Sequence, residues 1–159
     1  MTKKKAKKKS KRTVSKITGN PKVSFETTQG HFTAELFLDM PLTIKNFVGL
    51  VSSSFYDGLI FHRFVPGFVI QGGDPTGTGT GGSGKTISLE INGHKHAQGT
   101  LGMARSMYPN SASSQFYICL AEAPHLDDGY AVFGQVTIGM DNVLKLRQGD
   151  KMLKVSILK

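Results

Sequence analysis

The sequence predicts a mainly β protein whose antiparallel strands form a closed or sandwiched sheet. Three observations carry this. The 159 residues include 19 glycines, many of them in turn-forming pairs. Short runs of alternating apolar residues recur along the chain, and only two segments have helical spacing. Length and a 38% hydrophobic content suit one domain with a sizeable core.

The elements follow in order. Gly19-Asn20-Pro21 separates a basic segment from the domain. Val23 and Phe25 alternate within Lys22 to Thr28, and Phe32, Ala34 and Leu36 alternate after the Gln29-Gly30 turn, which predicts a hairpin. Ile44, Phe47, Val48 and Val51 then fall at i, i+3, i+4 and i+7, one face of a helix with Pro41 in its first turn. Tyr56-Asp57-Gly58 ends that unit. Leu59 to Phe64 and Phe68 to Gln71 flank the turn pair Pro66-Gly67, and a glycine-rich loop runs from Gly72 to Gly84. Ile87, Leu89 and Ile91 alternate as in a strand. Leu101 to Ala104, Phe116 to Cys119, Ala131 to Thr137 and Val155 to Leu158 read as further strands. A second helix is expected from Asp141, as N-cap, to about Arg147, with Met140, Val143 and Leu144 as its apolar stripe and Gly149 near its end.

Charge divides the chain in two. Residues 1–16 hold nine of the 20 Lys and Arg and no acid, whereas residues 17–159 hold 11 basic and 11 acidic side chains. The expected organisation is a basic disordered tail at 1–19 and one folded domain at 20–159. The tail lacks the apolar stretch of a secretory signal and the amphipathic pattern of a transit peptide. Two readings fit it: a solubilising arm, or weak polyanion or nucleic-acid contact. No aromatic residue interleaves with residues 3–16, so any such contact is to phosphates. A single cysteine, Cys119, cannot form an internal disulfide, which suits a reducing compartment and a cytoplasmic location. No apolar run approaches the roughly 18 residues of a membrane span.

Gly79-Thr80-Gly81-Gly82-Ser83-Gly84-Lys85-Thr86 matches the phosphate-binding P-loop pattern, with Lys85 and Thr86 in the places of the phosphate and magnesium ligands. The context is wrong. Turn formers precede it, Ile87-Ser88-Leu89-Glu90-Ile91 alternates like a strand where a helix is required, and no strand ending in Asp follows. Nucleotide binding is not expected.

Phe61-His62-Arg63-Phe64-Val65-Pro66-Gly67-Phe68-Val69-Ile70-Gln71-Gly72-Gly73-Asp74 closely resembles the signature of the cyclophilin-type peptidyl-prolyl cis/trans isomerases. Gly79-Thr80-Gly81-Gly82, Ser114-Gln115-Phe116-Tyr117-Ile118, Leu126-Asp127 and Val132-Phe133-Gly134 follow in the family's order. The resemblance covers roughly residues 20–159, in line with one domain. It implies a closed eight-stranded antiparallel barrel capped by two helices, rotation of X–Pro bonds (rotamase activity) in peptides and unfolded chains, and a role in folding. It requires no cofactor and no metal, and the expected state is a monomer. A proline-binding module without turnover is the alternative.

The resemblance also implies roles. Arg63 matches the catalytic arginine, and Gln71 matches the glutamine that holds the substrate carbonyl and positions Arg63. Phe68 and Leu126 match walls of the proline pocket, although by composition both are ordinary core residues. Ala104 matches the small residue beside the substrate backbone and Gln115 a polar residue at the pocket edge. Val69, Tyr117, His125 and Tyr130 stand where the commonest eukaryotic pattern has Met, Phe, Trp and His. Arg105-Ser106-Met107-Tyr108 replaces Asn-Ala-Gly. These departures resemble microbial members and imply weak cyclosporin binding. His62 is expected to make a buried hydrogen bond, and His94 and His96 are read as polar-loop residues rather than metal ligands. Cys119 is expected to be inert core.

Overall fold

The computed structural model describes residues 19–158. The predicted tail at 1–19 lies almost wholly outside them. Eight antiparallel strands form one sheet: β1 (Lys22–Thr27), β2 (Gly30–Leu36), β3 (Phe61–Val65), β4 (Val69–Gly72), β5 (Thr100–Met103), β6 (Phe116–Cys119), β7 (Val132–Ile138) and β8 (Met152–Leu158). Their spatial order is β3-β4-β6-β5-β7-β2-β1-β8. Helices α1 (Pro41–Ser52) and α2 (Met140–Val143) complete the domain.

The sheet curls until its edge strands meet, but the expected closure is only partial. Beyond one bridge, Ile60↔Lys151, the seam is pinned by backbone bonds such as Phe61 N–H to Asp150 C=O (2.8 Å) and Met152 N–H to Leu59 C=O (2.8 Å). The barrel is thus a curled sheet fastened at its seam, without a full ladder there.

Alternation sends one side chain of each pair inward. Phe25 and Phe32 face each other across the β1–β2 register and stack at 4.4 Å. From α1, Phe47 enters among Tyr56, Phe116 and Phe133, with ring centroids 4.9–5.7 Å apart. These rings are fully buried and, with Ile44 and Val51, hold the helix on the barrel.

The segment from Ile87 to Ile91 is not a strand. It makes a single bridge, Ile87↔Ala112, and its backbone then turns to side chains, with Leu89 N–H donating to Asn110 Oδ1. Its purpose is at Glu90. Met40, the N-cap of α1, offers no side-chain acceptor, and the Glu90 carboxylate takes the N–H groups of Leu42 (3.0 Å) and Thr43 (2.7 Å) instead. A remote carboxylate thus satisfies donors that the helix leaves open.

The second helix is shorter than expected and does not begin at an Asp141 cap. Its N-cap is Gly139 at φ 85°, where a Cβ would collide with the β2 backbone at His31 and Phe32. Leu144 is exposed, and Leu146 is buried in its place. The Asp150 carboxylate captures the following turn through Arg147 N–H, at 2.8 Å.

Candidate active site

The site is built on the outer face of the sheet. Registers place Arg63 (β3) beside Gln71 (β4), Gln71 beside Tyr117 (β6), and Tyr117 beside Gly102 (β5). One residue along each strand, Ile70, Ile118 and Leu101 form the matching row that points into the core. Period-two alternation therefore separates a structural row from a functional row.

A second hydrophobic cluster lies on this outer face. Val69, Tyr117, Cys119 and Ala123 are buried there, with Phe68, Ala104, Leu126 and Tyr130 packed around them. The β3–β4 turn at Pro66-Gly67 brings in Phe68. A 3-10 turn, Pro124–Leu126, brings in Leu126. Of these, Phe68, Val69, Ala104, Tyr117, Leu126 and Tyr130 join Arg63, Gln71 and Arg105 in lining a groove of about 340 Å³. An apolar floor with a few convergent polar groups is the expected form of a small binding site.

Arg63 is exposed, and its Nη1 donates to Gln71 Oε1 at 3.2 Å. The orientation of Gln71 is fixed from behind. Gln115 Nε2 donates to the carbonyls of Gly79 (3.0 Å) and Gly81 (2.9 Å), so its Oε1 turns to accept Gln71 Nε2 at 2.9 Å. Gln71 must then present Oε1 to the guanidinium. One N–H of the Gln71 amide has no acceptor among the described residues.

The glycine loop is the foundation of this chain. Asp74 is buried and accepts from the amides of Thr76 (2.8 Å), Thr78 (3.1 Å), Gly79 (2.6 Å) and Gly81 (3.1 Å), and from the Thr76 hydroxyl (2.8 Å). Burial alone would raise its pKa, but these donors outweigh it and hold the carboxyl well below the usual range. Two amides of the P-loop-like stretch, those of Gly79 and Gly81, are spent here on the chain's own carboxylate. The residues after the loop form no helix.

Beneath the groove lies a connection the sequence did not reveal. His96 is buried, and both its backbone N–H and Nδ1 lie 2.8 Å from Asp127 Oδ1. A carboxylate only accepts, so Nδ1 carries the proton, and in the neutral ring Nε2 accepts from the Tyr117 hydroxyl at 2.7 Å. Those hydrogen bonds from His96 lower the Asp127 pKa, and burial raises that of Tyr117. The Tyr117 ring passes so close to Gly102 that a Cβ there would overlap it.

A model of the cyclophilin type peptidyl-prolyl cis-trans isomerase/CLD family matches residues 22–159. The chain belongs to the cyclophilin family. The peptidyl-prolyl cis-trans isomerase of Synechococcus elongatus is 47% identical over 136 residues, covering 84% of this chain and 93% of the relative. The isomerase B of Bacillus subtilis is 46% identical over 119 residues, 74% of this chain and 82% of its own. The crystal structure of a Cryptosporidium parvum cyclophilin type isomerase superposes with a TM-score of 0.84 at 33% identity, over 88% of this chain and 98% of that one. The same protein solved in the presence of the dipeptide Ala-Pro gives 0.82 at 33% identity, over 87% and 99%.

In this cyclophilin groove, eight of the ten residues singled out in the sequence come together. Gln115 sits behind the lining and acts on it through Gln71. His125 is exposed at the rim, with its ring 5.3 Å from that of Phe68. Three expectations change. His96 is no polar-loop residue but a buried link, whereas His94 stays near the surface on Asp39 at 2.9 Å. His62 does not make the expected hydrogen bond, because its buried Nδ1 has no partner among the described residues. Burial accordingly lowers its pKa, with Asp74 opposing and Arg63 assisting. Arg105, noted only as a departure, lines the groove. Cys119 is buried, and burial followed by the Asp127 charge pushes its thiol up to about 12, so it is no nucleophile at neutral pH.

Proposed function

We propose that the groove around Arg63 catalyses cis/trans isomerisation of X–Pro peptide bonds, the activity of the family to which the chain belongs. The single observation that carries the assignment of roles is the fixed orientation of Gln71, which holds the Arg63 guanidinium beside the apolar side chains of the groove.

Amide resonance sets a barrier of ~20 kcal/mol. As the bond twists, that resonance is lost and the prolyl nitrogen becomes pyramidal with lone-pair character. The proline ring rests among Phe68, Tyr117 and Leu126, and Arg63 directs an N–H toward the nitrogen. The interaction strengthens only in the twisted form, so it lowers the barrier instead of merely tightening binding. The free N–H of Gln71 anchors the substrate carbonyl, and Ala104 leaves room for the peptide backbone. No covalent step or proton transfer is needed. Lowering the barrier by ~7 kcal/mol would give about five powers of ten in rate.

The clients are proline-containing peptides and unfolded chains, and the role is assistance to folding by a monomer. The lone buried cysteine supports a cytoplasmic setting. Among the described residues no helix is long and apolar enough to cross a membrane. The nine basic residues of 1–16 are read as a separate arm that contacts polyanions weakly.

A proline-peptide isomerisation assay tests the central reading: saturable acceleration supports it, and peptide binding without acceleration would leave only a proline-binding module. In parallel, removal of residues 1–16 should abolish any RNA binding and leave turnover intact.

A further inference from the structure

Two guanidiniums, those of Arg63 and Arg105, line the groove, and among the described residues no carboxylate does. The domain has no general excess of positive charge, since residues 17–159 balance 11 basic against 11 acidic side chains. The cationic lining is therefore a local arrangement. Neither arginine has an ion-pair partner among the described residues. Of the two acids next to the lining, Asp127 directs Oδ1 to both N–H groups of His96, and Asp128 makes no ion pair among the described residues.

Arg105 is also held in place. Its Nη2 donates to the Gly129 carbonyl at 2.7 Å, its Nη1 donates to that of Ser106 at 2.9 Å, and its guanidinium lies 4.6 Å from the Tyr130 ring centroid. Carbonyls and an aromatic face satisfy donors but leave the net charge in place. Its Nε is buried with no partner among the described residues, so any contact to a bound anion is left to the Nη groups. A cation fixed in this way loses little side-chain freedom when an anion arrives.

The geometry points to a substrate class: proline peptides with an aspartate or glutamate beside the proline, selected by Arg105 as a specificity-determining residue. This inference rests on reading the groove as a peptide site and does not require turnover. A partly exposed ion pair of this kind changes affinity by about two- to fivefold. The charge also favours encounter with acidic segments over basic ones.

The test uses three peptides that differ only beside the proline, where they carry Glu, Gln or Lys. Dissociation constants from NMR titration and kcat/KM are measured at neutral pH in low and high salt. The Glu peptide should bind about two- to fivefold more tightly than the Gln peptide, the Lys peptide more weakly, and the spread should narrow in high salt. Arg105→Lys should keep the order, whereas Arg105→Gln should bring the Glu-to-Gln ratio towards one. Equal dissociation constants for the three peptides would overturn the inference. So would an Arg105→Gln protein that binds all three more weakly by one common factor, because that is the mark of a purely structural arginine. Charge-ranked binding without turnover of any peptide would uphold this inference and sink the isomerase reading instead.

Discussion

Arg63 and Gln71 are cross-strand neighbours joined by a 3.2 Å hydrogen bond, and the Gln71 amide is oriented by Gln115 behind it. Gln71→Leu keeps the approximate volume but removes both bonds. Arg63 is then free to leave the groove, and kcat/KM should fall about tenfold, ~1.4 kcal/mol on the transition-state scale. Steady-state kinetics beside thermal melts will check this. An unaltered kcat/KM would show that Arg63 holds its place unaided.

Asp74 gathers the loop that supports Gln115, so Asp74→Asn should act at a distance. Loss of the charged acceptor should cost about 2 kcal/mol or more and lower turnover through a displaced Gln115. The pH dependence has a definite direction. A carboxyl held below its ordinary value adds stability that is complete above about pH 4, the unfolded value, and is lost as pH falls towards the folded one. The melting-temperature gap between the unaltered protein and Asp74→Asn should be full at neutral pH and shrink below about pH 4. A gap independent of pH would show that the loop depends on shape rather than charge.

Tyr117→Phe removes the hydroxyl that meets His96 at 2.7 Å. The imidazole stays buried with an open acceptor, so the domain should lose about 1–3 kcal/mol. Denaturant unfolding measures this, and no loss would mean that the hydroxyl makes no net contribution.

His125 stands exposed at the rim, 5.3 Å from Phe68. Histidine offers cyclosporin less apolar area than the tryptophan of the commonest family pattern. His125→Trp should therefore tighten binding, by ~1.5–3 kcal/mol at most. A calorimetric titration without any gain would assign control of the pocket to Tyr117 and Tyr130.

Local pattern made the hairpins and α1 legible, because alternation and turn pairs are properties of neighbouring residues, whereas the Arg63–Gln71 pair was legible only through the resemblance to the cyclophilin signature. Ile87 to Ile91 alternates equally well yet forms no strand, since Glu90 is drawn to the α1 N-terminus 47 residues away. Asp141 looked like a cap, but the close approach of Gly139 to β2 decides where that helix begins. The His96–Tyr117 bond spans 21 residues and leaves no periodic trace. The Arg105 contribution depends on the Gly129 carbonyl and the Tyr130 ring, which only the folded chain brings to it.

In the proposed mechanism a cation acts at the prolyl nitrogen. Its most direct test is kcat/KM for a proline peptide with Arg63→Ala and Arg63→Lys, with thermal melting of the same samples. The Arg63 side chain is exposed and makes one hydrogen bond among the described residues, so both proteins should stay folded. Arg63→Ala should lose about a hundredfold or more in kcat/KM, ~3 kcal/mol. Arg63→Lys should recover only part, because an ammonium lacks the planar fork that Gln71 can hold. A folded Arg63→Ala protein with near-normal kcat/KM would contradict the account and leave desolvation in the pocket as the source of the rate.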